Sequence, residues 1–113
     1  MPSNTLSIVL VIVSVSTFLL GFQAWRLTSS RSLILNTFAA TAALLVAAYM
    51  HSKPGGTAAA IAIPFMVGML FAGRGLGTLW RSRKETNLRL PSTLLLAIAG
   101  ASLYASVAVY FAQ

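Results

Sequence analysis

The chain has 113 residues, 58% of them hydrophobic and only 8% charged, with a net charge of +7. A water-soluble domain this small exposes much of its surface and needs roughly a quarter of its residues charged to cover it; this composition excludes one and puts the chain in a bilayer. Cysteine is absent, which excludes disulfides and thiolate chemistry.

A hydrocarbon core takes about 20 apolar residues per helix. Four segments qualify, about 5–25, 32–50, 57–80 and 91–112, in one membrane domain covering 1–113. The expected fold is all-α, an integral membrane four-helix bundle. No basic residue precedes the first apolar run, which is longer than a signal-peptide core and has no A-x-A cleavage site, so it reads as a retained span. Its stretch SIVLVIVSVSTFLL is bulky and β-branched, which suits a lipid-facing helix, and Trp25 and Arg26 anchor its end at the interface.

The second span carries Asn36, expected to hydrogen-bond between helices, and Ala39, Ala43 and Ala47 at i+4 spacing. It closes with MHSKPGG, where Pro54 cannot continue a helix and the glycines fit its C-terminal turn. His51 reads as an ordinary cation-capable residue at a helix C-terminus; as a pigment or haem ligand it lacks a second ligand.

The third span contains Pro64, whose missing N–H predicts a kink. Gly73 and Gly77 form a GxxxG around Arg74, the one charge inside a span, about 9 Å from the interface at Trp80. Arg74 either snorkels outward or faces the bundle and offers a two-donor fork to an anionic headgroup. GRGLG lacks the preceding strand and the Lys-Ser ending of a phosphate loop, which argues against nucleotide binding. The fourth span opens on Pro91 and carries Ala97, Ala101 and Ala105. These small-residue stripes place spans two and four at the bundle interior.

The loops orient the chain. Residues 26–31 and 81–90 share one side and hold Arg26, Arg31, Arg81, Arg83, Lys84 and Arg89, against Lys53 alone on the other. By the positive-inside rule both termini are expected on the non-cytoplasmic side of a bacterial inner, thylakoid or organellar inner membrane. The basic residues serve topology and anionic lipid, not nucleic acid. Spans one and three each end in Trp-Arg, and spans two and four finish AAYM and AVYF, a repeat that points to two parallel helical hairpins.

Catalysis is not expected: there is no Asp, one Glu in a loop and one His, so neither a carboxylate pair nor a Ser-His-Asp triad can form. No span holds an acidic residue, which also argues against proton-coupled exchange of the small-multidrug-transporter kind. No cofactor or metal is implied.

Gly21–Phe22, Ser32–Leu33, Tyr49, Arg81 (or Arg74), Arg89 and Pro91 follow one another over residues 17–112 in an order that resembles the transmembrane protein 14 family, which includes the plastid fatty-acid-export proteins. Asn36 and Ala40 stand where that family has glycines, and Ser92–Thr93 replace its Ala–Gly. The resemblance implies a helical bundle that moves fatty acids, porphyrins or similar amphiphiles. On that expectation Arg74, Arg81 and Arg89 receive the anionic head, and the small-residue faces of spans two and four hold the tail. The alternative is a non-catalytic accessory subunit of a larger photosynthetic or respiratory membrane complex. Expected partners are membrane lipids, the amphiphile, and either further copies of the chain or that complex.

Overall fold

The computed structural model describes residues 3–29 and 31–111, with side chains from Thr5 onward. Four α-helices run α1 (Ser3–Thr28), α2 (Arg31–His51), α3 (Thr57–Arg81) and α4 (Arg89–Phe111), with a 3₁₀ turn at Thr86–Leu88 before α4. The described residues are 91% helical, with no strand among them. Residue 112, the expected end of the fourth span, lies outside the described residues. All four helices are long and apolar enough to cross a membrane, and the bundle's 48 Å length compares with about 40–45 Å for a bilayer with its headgroup regions.

The most extensive packing is α3 on α4 and α1 on α2; α1 on α4 and α2 on α3 close the ring. The architecture is thus two helical hairpins side by side, with α2 and α4 across a diagonal. Buried positions recur at heptad spacing: Leu33, Thr37, Ala40, Leu44 and Ala47 on α2; Ser92, Leu95, Ala99, Ser102, Ser106 and Val109 on α4. A 3.5-residue repeat keeps one seam facing its neighbours, the condition for knobs-into-holes packing.

That register corrects the two alanine stripes. Each i+4 step turns a further 40° or so around a helix, so a row at that spacing drifts off the buried face. Ala39 and Ala97 are exposed, Ala43 and Ala101 half-buried, and only Ala47 and Ala105 fully buried. The first span is corrected as well. Leu6, Leu10, Val13, Ser14 and Thr17 of α1 are buried while Ile8, Ile12 and Val15 point out, so α1 is no more peripheral than α2 or α3.

The surface is strongly apolar, and the apolar core admits several small hydroxyl residues. Leu35, Met66, Trp80, Tyr110 and Phe111 are each more than half exposed, whereas Ser14, Thr17, Thr37, Ser92, Ser102 and Ser106 are buried. In water that distribution would cost both ways; in hydrocarbon the bulky groups lose nothing, and small residues let helices approach. Thr37 and Thr41 satisfy their hydroxyls on carbonyls one turn back, and Ser14 reaches across to the Thr41 carbonyl at 3.1 Å.

Pro64 is buried and does not end α3, which continues as one helix to Arg81. The close approach of α3 to α4 is made by Gly68 and Gly75. A Cβ at Gly68 would lie 2.6 Å from Leu103 Cγ, and one at Gly75 would lie 2.8 Å from Leu96 Cγ. Gly73 and Gly77, the expected GxxxG pair, are exposed, and a Cβ at either would meet nothing within 4 Å from another helix. The helix turns are short. Ser29 ends α1 at φ 56, donating to the Trp25 carbonyl at 2.7 Å, and Gly55 supplies φ 78 after α2.

Candidate functional site

The heptad seam of α3 runs Ala60, Pro64, Val67, Phe71 and then Arg74 before Thr78. Arg74 therefore occupies a core-facing position and is half-buried. One guanidinium nitrogen, Nη2, donates to Ser32 Oγ on α2 at 3.3 Å. Its Nε is fully buried and has no hydrogen-bond partner among the described residues. A desolvated guanidinium without a counter-charge is costly, and Arg74 borders two clefts in which an anion would offset its charge.

Space for one exists. A cleft of about 360 Å³ opens at this end of the bundle, lined by Leu27 and Thr28 of α1, Leu33 of α2, Arg74, Thr78 and Arg81 of α3, Glu85, Asn87 and Leu88 of the connection, and Leu95 of α4. Because all four helices contribute, both basic loops are at one end of the bundle. A second cleft of about 420 Å³ is lined by Arg74, Gly77, Thr78 and Arg81. The absent side chain of Gly77 leaves the arginines open to the side as well as to the end.

On the same flank of α3, the shallowest helix contact leaves an apolar groove of about 390 Å³ against α2, lined by Asn36, Ala39, Ala40, Ala43, Ile63, Met66, Val67 and Leu70. Ile63, Leu70 and Gly77 are one heptad apart and share an angular position. The groove thus ends one turn from Ser32 and Arg74, the pair that joins α2 to α3. From Ala43 to Asn36 it follows α2 for about 10 Å.

Of the residues expected to receive a head, the structure brings Arg74 and Arg81 together and separates Arg89. Arg89 lines a different cleft with Leu76, Leu79, Trp80, Ser82 and Arg83. Of the expected tail face, Ala39 and Ala43 line the α2–α3 groove; Ala97, Ala101 and Ala105 are on α4, which does not border it. Trp25 is half-buried against Phe22, ring centroids 5.5 Å apart, and Arg26 is exposed. Trp80 is 70% exposed, with the Arg83 guanidinium 4.6 Å from its ring centroid. His51 has its Nδ1 3.4 Å from Ser7 Oγ, a link between α1 and α2.

Gly77, Thr78 and Glu85 were not among the expected site residues. The heptad register of α3 is the signal that points to Thr78, one turn beyond Arg74. Comparison with family models, with curated proteins and with solved structures finds no match to this chain.

Proposed function

We propose that this chain is a non-catalytic membrane protein that helps an anionic, lipid-like amphiphile of the fatty-acid or porphyrin type across a membrane. Arg74 and Arg81 receive the head, and the α2–α3 groove holds the apolar part. The observation that carries this reading is Arg74, half-buried, bordering two clefts one turn beyond an apolar groove, with an Nε that has no hydrogen-bond partner among the described residues. The resemblance to the transmembrane protein 14 family points the same way. The basic end faces the cytoplasm or its organellar equivalent, and the termini face away.

The groove gives the reading a mechanism. An amphiphile in the leaflet slides its chain between α2 and α3 while its head meets the guanidinium groups through the gap at Gly77. Polar company lets the charged head leave water without entering bare hydrocarbon, which is the costly step of unassisted crossing. Reconstituted vesicles test it: the purified chain accelerates transbilayer movement of a fluorescent long-chain fatty acid, and Arg74→Gln abolishes the acceleration. Equal rates with and without protein would refute it.

The second reading, an accessory subunit of a larger complex, is favoured by one observation. Gly73 and Gly100 present open small-residue surfaces to the surroundings, where a helix of another chain can approach closely. Purification in mild detergent separates the two: a small oligomer supports transport, and co-purification with a large pigmented or redox complex supports the subunit.

A further inference from the structure

Trp80 ends the exposed flank of α3 between two basic clefts. One, of about 470 Å³, is lined by Trp80, Arg81, Arg83, Lys84 and Glu85. The other, of about 530 Å³, is lined by Leu76, Leu79, Trp80, Ser82, Arg83 and Arg89. They differ in charge balance: Glu85, the only acidic side chain in the sequence, borders the first but not the second. The second therefore has two guanidinium groups and no carboxylate in its lining.

Its polarity is also graded. Leu76 is 58% and Leu79 44% exposed on the side toward the middle of the span, while Arg83 and Arg89 lie beyond the end of α3. Arg83 lies over the Trp80 ring, which holds the cation at the depth where an indole sits in a bilayer. Arg89 opens α4, whose first turn carries no acidic residue. A cation at that position opposes the helix dipole, and an anion beside it relieves the repulsion.

We infer that the Arg83–Trp80–Arg89 cleft is a binding site for an anionic phospholipid, with its phosphate between the two guanidinium groups and its glycerol and upper acyl carbons against Leu76, Leu79 and Trp80. Free phosphate offers nothing to the leucines, and a zwitterionic lipid brings an ammonium to a site with two cations. Arg83 and Arg89 are distinct from Arg74 and Arg81, so the site stands whether or not the chain carries an amphiphile.

Delipidated protein in mild detergent provides the test, with thermal unfolding measured in added phosphatidylglycerol, phosphatidylcholine or inorganic phosphate. Phosphatidylglycerol is expected to raise the melting temperature by several degrees, and the other two are not. The Arg83→Gln/Arg89→Gln variant loses the shift, while Arg26→Gln, an exposed arginine at the same end that lines none of these clefts, keeps it. If the double variant does not fold, Arg83→Lys keeps the charge while losing the planar fork and stacking surface, and should need about tenfold more lipid for the same shift. An equal shift with phosphatidylcholine, a full shift with phosphate alone, or an undiminished lipid response in the variants would overturn the assignment.

Discussion

Ser106 on α4 donates its hydroxyl hydrogen to the Ile61 carbonyl of α3 at 2.7 Å, three residues before Pro64. Proline has no N–H for the Ala60 carbonyl one turn back, and its ring crowds that part of the helix. The hydroxyl from α4 supplies a donor to the adjacent carbonyl, one way that membrane helices accommodate an internal proline. Ser106→Ala should cost about 1 kcal/mol. Ser102, equally buried on the same helix, has no hydrogen-bond partner among the described residues. Ser102→Ala should be neutral or stabilising by up to about 1 kcal/mol. Reversible unfolding in mixed detergent compares them, and an equal loss in both would sink the assignment.

The glycines separate in the same way. Gly75→Val places two methyl groups against Leu96 and the α4 backbone, and should destabilise by about 1–3 kcal/mol. Gly73→Ala meets open space and should stay within about 1 kcal/mol of wild type. Matched unfolding midpoints for the two variants would mean that α3 and α4 do not meet at Gly75.

The spans and the four-helix architecture were legible because an 18- to 25-residue apolar helix bounded by arginine, proline and glycine has few alternatives in a bilayer. Which face of each helix turns inward was not. Ala39–Ala43–Ala47 and Gly73–Gly77 are regular in sequence, yet i+4 spacing does not follow the 3.5-residue seam, and the contacting glycines, Gly68 and Gly75, are seven apart. Arg74 could be singled out as an intramembrane charge, but its pairing with Ser32 and its place beside the α2–α3 groove depend on which helices are neighbours. Arg89 looked equivalent to Arg81 in sequence, and the turn at Thr86–Leu88 sends it to another flank.

Glu85 lines the cleft that holds Arg74 and Arg81. A tethered carboxylate there repels an incoming anionic head and competes for the same guanidinium donors. Glu85→Gln should therefore tighten binding of a fatty-acid anion by about 2- to 10-fold, the effect of a charge in a partly wet site. Titration at low ionic strength checks it. Weaker binding in the variant would show that Glu85 assists the site.

The charge asymmetry of the loops predicts orientation. A reporter active only in the cytoplasm should be silent when fused after the last residue and active when inserted between α3 and α4. Reversing Arg26, Arg31, Arg81 and Arg83 should disturb that pattern. A cytoplasmic C-terminus in the unaltered chain would contradict it.

The amphiphile reading rests most directly on Arg74, and the affinity of purified protein for a fluorescent long-chain fatty acid measures it. Arg74→Gln should weaken binding by about tenfold or more, the loss of a charge-assisted contact in a partly desolvated site. Arg74→Lys should restore only part of it, because an ammonium lacks the planar fork. Arg89→Gln, on the far flank, should bind as wild type does. Equal affinities for the wild type and both Arg74 variants would contradict the account and leave Arg74 as an interface anchor.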